Sequence, residues 1–342
     1  MQLNIERTDI ENSSIPLGTG WLLGRCMEGR GRQELYTNQL PEVLNALLEQ
    51  AIVQSVESSN RIEGISTSPA RLVSLLNGDI KPIERPDLEL LGYKKALNFI
   101  YTSDDIVLNT NFILTLHSMC CANSGHAGSF KTTNNDIIEI LPDGSRHVRF
   151  TPASSSDTPA LTSRLVSAYQ ESKLPPLLKV ATFIFDFLCV HPFLDGNGRV
   201  SRLLTTALLL KEGFIASRYI SLERLVEERK EEYYETLRLC SQGWHDGANS
   251  ITEWWGFFLS ILKDAYKAFD DSVKEQDVKS PKSELIRRNV LSMTGSFTLA
   301  EVSQKLPSIS SSLVKKILAE LKSEGALQQF GVGRGSRYSV NG

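Results

Sequence analysis

Residues 191–202 read HPFLDGNGRVSR, with one histidine, one acid, two glycines and two arginines inside twelve positions. Two apolar runs flank them, ATFIFDFLCV at 181–190 and RVSRLLTTALLL at 199–210. Each is long for a strand and reads as a helix. A glycine turn that feeds a helix start leaves backbone N–H groups unpaired and presents the positive end of the helix dipole, so it favours an anion. Arg199 and Arg202, three apart, emerge side by side at that start. Cations there oppose the dipole by a few tenths of a kcal/mol each, roughly. An anionic ligand would relieve the conflict. Asp195 is an oxygen donor one step before the turn, a placement suited to Mg²⁺ bridging phosphates. His191 is the one nearby group that ordinarily titrates near neutral pH, which makes it a natural base for a hydroxyl attacking a bound phosphate. Taken singly, each of these residues reads as a cap, a solvated charge or a packed ring; together at this spacing they read as a site.

The stretch resembles the signature of the Fic family, His-x-Phe-x-(Asp/Glu)-Gly-Asn-Gly-Arg-x-x-Arg, at every defined position, and the resemblance extends over roughly 40–270. Family proteins transfer AMP from ATP to hydroxyls of target proteins. The resemblance therefore implies that His191 deprotonates the target hydroxyl and that Phe193 packs the loop into the core. It implies Asp195 as the Mg²⁺ ligand, Gly196, Asn197 and Gly198 as the phosphate cradle, and Arg199 and Arg202 on the β- and γ-phosphates. Val200 and Ser201, between the arginines, fall in the same ATP-binding stretch. Upstream, SNRIEG at 59–64 matches the family's inhibitory pattern at Ser59, Glu63 and Gly64. The resemblance implies that Glu63 pairs with Arg202 and blocks the γ-phosphate site; the same glutamate can position water for AMP removal in some relatives. Tyr233 and Tyr234 match a tyrosine pair that follows the motif in many relatives. Adjacent helical positions point apart, so one of the two is expected near adenine.

Working outward, Pro41 opens a helical pattern to about 64, the expected inhibitory helix, with Val43, Leu44, Leu47, Leu48, Ala51 and Val56 at spacings of three and four. Further helices are expected at 69–76, 86–101, 110–122, 160–171, 175–190, 198–213, 223–241 and 251–274. Residues 1–40, with glycines at 18, 20, 24, 29 and 31, read as irregular with a short strand at GWLLG. Between 129 and 152 two β-branched or aromatic runs surround PDGS, which is hairpin chemistry. In the family this hairpin is a flap that docks the target segment by strand addition. His126 and His147 read as surface residues, His117 as helix packing, and Trp254, Trp255, Phe257 and Phe258 as core.

The expected fold is mainly α: a Fic-type helical bundle with an inserted β-hairpin flap, followed by a small winged helix-turn-helix domain. The expected domains are 1–105 with the inhibitory helix, 106–275 as core, and 283–342 as the winged helix, with EQDVKSPKS at 275–283 as linker. In the tail, Leu313, Ile317, Leu318 and Leu321 should face inward and Ser310, Ser311, Lys315 and Lys316 outward, with Arg334 and Arg337 on the wing. The whole chain carries −3, but residues 277–342 hold ten Lys and Arg against five Asp and Glu, a local +5. A general polyanion binder is excluded, whereas DNA contact through 283–342 is an open expectation. Five irregularly spaced cysteines suggest reduced thiols in a cytoplasmic protein, not a disulfide frame or a zinc site. No apolar run is long enough for a membrane span, and the N-terminal residues do not read as a secretion signal. A homodimer is expected. The reading in another class is a DNA-binding regulator whose helical body acts as a sensor; a different nucleotide donor is the alternative within the same class.

Overall fold

Helices dominate, and prolines and short polar side chains start most of them. In chain order α1 (Thr8–Glu11), α2 (Leu17–Thr37), α3 (Pro41–Ile62), α4 (Pro69–Asn77), α5 (Arg85–Thr102) and α6 (Thr110–Cys120) precede a hairpin of β1 (Ile137–Ile140) and β2 (Arg146–Phe150). Then come α7 (Thr158–Glu171), α8 (Pro176–Val190), α9 (Asn197–Lys211), α10 (Ala216–Tyr219), α11 (Leu222–Glu228), α12 (Lys230–Cys240) and α13 (Thr252–Lys279). The chain ends with α14 (Pro281–Leu291), β3 (Ser296–Thr298), α15 (Leu299–Lys305), α16 (Ser311–Ser323), β4 (Leu327–Phe330) and β5 (Arg337–Val340). This computed structural model describes all residues except 1, 38–40, 104, 141–143, 280, 294, 308, 332–334 and 342; the side chains of 36, 37, 41–43, 139, 140, 275–279 and 281 are also outside the description. The Val43 side chain and Arg334 therefore lie outside it, as do Pro142 and Asp143 of the PDGS turn.

The chain forms two compact units, Met1–Phe269 and Asp270–Gly342. In the first, α8 is the centre: every side chain from Val180 to Val190 is buried. Its Asp186 is buried too, and accepts hydrogen bonds from Asn4 Nδ2 (2.8 Å), the Ile5 N–H (2.9 Å) and Trp244 Nε1 (2.9 Å). Burial pushes that carboxyl up to about 6. Trp254 and Trp255 complete the core as expected, donating to the Ala181 carbonyl and the Thr182 hydroxyl. Helix α3 is fastened to its neighbours by Glu223 of α11, whose carboxylate accepts from Ser55 (2.7 Å) and from Tyr93 of α5 (2.8 Å). With a third bond from the Ser221 hydroxyl (3.2 Å), the buried Glu223 carboxylate is satisfied by hydroxyl donors alone.

Three expectations are corrected. Residues 17–37 are helical, not irregular with a strand. The glycines that argued against a helix have a packing reason at Gly29, where a Cβ would overlap the Tyr266 ring of α13. The single helix expected over 223–241 is broken at Arg229, whose φ of −123° separates α11 from α12. The polar stretch 275–283 is helical on both sides of residue 280, because its Lys, Glu and Gln residues are good helix formers and Pro281 suits a first turn.

In the second unit α14, α15 and α16 enclose a core of Ile286, Val290, Val302, Val314, Ile317, Leu318 and Leu321, and an antiparallel sheet runs in the order β3-β5-β4. Val314 takes the inward position expected of Leu313, which is only partly buried. Lys315 is exposed, while Lys316 is half-buried and donates to the Lys274 carbonyl. Arg337 lies in β5 and its guanidinium is held by Ser296 (2.7 and 2.9 Å).

Candidate functional site

The histidine's position follows from how α8 stops. His191 caps it in the left-handed region (φ 51°, ψ 61°), the one non-glycine with positive φ among the described residues. Such a conformation is costly for a bulky residue and persists only where the surroundings over-determine it. Here they do: the His191 N–H donates to the Phe187 carbonyl (2.9 Å), and Asn197 closes the following loop by accepting from the Phe193 N–H (2.9 Å) and donating to its carbonyl (2.7 Å). Gly196 also has positive φ (83°), and a Cβ there would overlap the Cys121 sulfur. Helix α9 then begins at Asn197, so the N–H groups of its first turn have no acceptor within the helix.

Phe193 is fully buried and stacks on His117 with ring centroids 3.7 Å apart. His117 accepts from the Gly128 N–H at Nδ1 (3.0 Å), so its Nε2 carries the proton and donates to the Asp195 carbonyl (3.1 Å). The ring does pack, as expected of it, and it also clamps the loop from below. Phe193→Ala should destabilise the protein by about 3–5 kcal/mol. Thermal or urea unfolding would read this directly.

Both motif arginines are held by carboxylates. Arg202 donates to Glu63 Oε1 (2.7 Å), to the Ser59 hydroxyl (2.8 Å) and to the Ser59 carbonyl (2.9 Å). Ser59 and Glu63 thus meet Arg202, 139 or more residues away in sequence, in one cluster. Gly198 is part of it, since a Cβ there would overlap the Glu63 carboxylate; Gly64 follows with φ 80°. Arg199 is deeply buried and donates to Glu89 (2.7 Å) and to Asp195 (3.3 Å), while its Nε is buried without a hydrogen-bond partner. The Asp195 carboxylate is half exposed and also faces Arg85 (3.5 Å). Val200 is buried behind the loop, and the Ser201 hydroxyl donates to the Gly198 carbonyl (2.7 Å).

His191 is surrounded by buried material and lies near the cation of Lys131; burial first, then that charge, push its imidazole down to about 4. Lys131 is only 3% exposed, and burial lowers its ammonium to about 8. Its N–H donates to the Pro192 carbonyl (2.9 Å) and its Nζ to the Val190 carbonyl (3.3 Å) and Asn135 (3.2 Å). Lys131 therefore pins both flanks of His191. A histidine that takes a proton near 6.5 unfolded but only near 4 folded adds stability above pH 6.5, and that contribution is lost as pH falls through the window. Any reaction that needs the neutral ring should persist well below pH 6. Lys131→Met should move the acidic limb of such a pH profile upward, because a positive neighbour is removed.

One cavity of about 180 Å³ joins His191, Gly198, Arg202 and Glu63 to Tyr233 and Tyr234, with Ile137, Arg149 and Phe150 of the hairpin on its wall. Both tyrosines line it. Tyr233 is buried against Trp254 and Phe257, and Tyr234 lies under the Arg149 guanidinium at 5.1 Å. Arg149 reaches the cavity because of a bulge. β1 and β2 pair Ile137 with Phe150 but Ile138 with Val148, so Arg149 is the extra residue. Bulges commonly re-aim a side chain in this way. His126 and His147 are exposed, as expected.

Sequence reasoning missed Lys131, Glu89 and Arg149. A lone lysine, a glutamate four after an arginine and one flap arginine carry no pattern by themselves; only the tertiary packing brings them to the motif. Among the described residues no group of three or more His, Cys, Asp and Glu side chains is placed to hold a metal ion. Asp195 is a single carboxylate beside an anion turn with an orphaned arginine Nε, an arrangement that suits a Mg²⁺ arriving with phosphates better than a dedicated cage.

A model of the Fic/DOC family matches residues 107–209. The chain is 27% identical over 210 residues to a protein of Culex quinquefasciatus named Protein adenylyltransferase Fic, covering 57% of this chain and 38% of that one. A protein of the same name in Drosophila yakuba is 28% identical over 204 residues, with the same coverage. The chain thus spans about two-fifths of these relatives' length. Among solved structures, a Fic family protein from Desulfovibrio desulfuricans G20 superposes with a TM-score of 0.64 at 19% identity, covering 96% of this chain and 98% of the other. Fic-1 from C. elegans gives 0.60 at 20% identity, with 78% and 76% covered. Among the described residues no helix is long and apolar enough to cross a membrane.

Proposed function

We propose, from the match of residues 107–209 to the Fic/DOC family model, that the protein transfers AMP from ATP to a hydroxyl of a target protein and of itself. The observation that carries the proposal is the joining of His191 with Gly198 and Arg202 of the anion turn and with Tyr233 and Tyr234 around one cavity. The target hydroxyl oxygen forms a bond to the α-phosphorus, and the bond from that phosphorus to the pyrophosphate oxygen breaks. The hydroxyl proton passes to neutral His191, whose lowered proton affinity keeps it available as acceptor. Gly196, Asn197 and Gly198 offer backbone N–H groups to the phosphates. Arg199 and Arg202 stabilise the charge that grows on the leaving pyrophosphate. Asp195 would hold Mg²⁺, which neutralises phosphate charge. Tyr233 and Tyr234 form the wall for the base, and the β1–β2 flap docks the target strand.

In this reading Glu63 is the brake. Its carboxylate occupies Arg202 and lies against Gly198, so a γ-phosphate cannot use either. Incubation with labelled ATP and Mg²⁺, followed by mass spectrometry, would show the transferred mass and the acceptor together. Competition by UTP, GTP and CDP-choline tests the donor; release of AMP from a modified target tests the reverse activity. Detection of a different transferred group would replace the ATP assignment.

The second unit supports an additional role. Its helix, strand and two-helix order followed by the β4–β5 pair is that of a winged helix, and Ser311, Ser312 and Lys315 are exposed on α16. With the local charge of +5, α16 would enter a major groove and the β4–β5 turn would meet phosphate. A gel shift with genomic fragments at two salt concentrations tests this. Absence of any shift at low salt would remove DNA from the partners.

A further inference from the structure

Helix α2 has two faces, and only one is used within its own unit. Inward, Thr19, Cys26 and Gln33 are buried; the Cys26 thiol donates to the Leu259 carbonyl (3.4 Å) and Gln33 to the Gly213 carbonyl (2.8 Å). Outward, Leu17 is 92% exposed, Trp21 70% and Leu35 59%. Monomeric proteins scatter single apolar residues on their surfaces, but they seldom align a tryptophan and two leucines at helical spacing. With Gly24, Glu28 and Gly31 these residues repeat at intervals of four and three, the seam of a helix that packs on another helix.

The glycines add an independent argument. Glycine is disfavoured in a helix interior relative to alanine. Gly29 has a reason within the chain, the Tyr266 ring. A Cβ on Gly24 or Gly31 would meet nothing within 4 Å, so nothing in this chain requires a glycine at either position. Both lie on the exposed seam, where small residues let another helix approach closely.

We propose that this face is the contact between two copies of the chain, each laying its α2 antiparallel on the other. The stripe is complementary to itself under a two-fold axis, as an isologous interface must be. Antiparallel pairing about its midpoint sets Leu17 on the partner's Leu35, Trp21 on the partner's Gly31 and Gly24 on the partner's Glu28. The largest side chain thus meets a glycine and both ends close with leucine. Charge agrees: Glu28, which pairs with Arg25 and with Arg32 (3.1 Å) in its own chain, comes beside the partner's Arg25. A single helix pair lies at the small end of stable interfaces, so the dimer dissociates in the micromolar range.

Sedimentation of the full chain from about 1 to about 100 µM should show a monomer passing to a dimer. Trp21→Glu should weaken the dimer at least roughly tenfold with melting of the monomer unchanged, because the ring is exposed. Mixing Gly24→Cys chains with Glu28→Cys chains under mild oxidation should give a cross-linked heterodimer, a readout that fixes the register. A monomer at the highest concentration, a dimer indifferent to Trp21→Glu, or a dimer that fails to cross-link would each overturn the proposal. None of these outcomes depends on the reaction assigned above.

Discussion

Glu63→Gly should raise self-labelling from ATP by roughly 10- to 100-fold. The contact it removes is a charge-assisted hydrogen bond in a partly buried setting, worth about 1.5–3 kcal/mol, and about 1.4 kcal/mol is a factor of ten. Arg202 keeps its bonds to the Ser59 hydroxyl and carbonyl, so the guanidinium stays in place after the substitution and is simply unoccupied. The fold should tolerate the change, since Glu63 sits at the end of α3 and is partly exposed. Labelling at the wild-type level would mean that Glu63 is not the brake. Glu89 would then become the suspect, because it holds Arg199 as Glu63 holds Arg202.

His191→Ala, introduced into the Glu63→Gly chain, should lower labelling by about 10²–10⁴-fold, the usual contribution of a positioned general base. The loop geometry should survive, because Asn197, Phe193 and His117 set it and the histidine side chain adds one long hydrogen bond, to the Leu188 carbonyl (3.3 Å). ATP affinity should therefore change little, and the loss should fall on turnover. A variant that loses ATP binding along with turnover would point to a structural role for the ring.

The motif was legible because each of its residues is tied to its neighbours in sequence: a helix end, a glycine turn, a helix start. Glu63 and Ser59 were reached by resemblance alone; nothing in their spacing states that α3 delivers them to Arg202. Lys131, Glu89 and Arg149 escaped notice for the complementary reason. Each acts through a contact some 60 to 110 residues distant or through a bulge, and neither leaves a periodic trace. The helical body was read from its apolar spacing, and it failed where glycine was given only a local meaning. In α2 the glycines answer to a ring packed against the helix at one position and to the open face at others.

If Glu63 is the brake proposed above, the fastening of α3 through Glu223 limits how it can be let off. Ser55 and Tyr93 grip one carboxylate from two helices, so α3 behaves as a fixed post from its middle to Ser59. What can move is the short tip beyond it, ending at Gly64 with its left-handed backbone. Control of the proposed transfer would then be a toggle of small throw, a turn of one carboxylate on a stationary mount. An activator needs only to reach about one helical turn of chain, and amide exchange on activation should quicken at 60–64 and stay slow through 44–56.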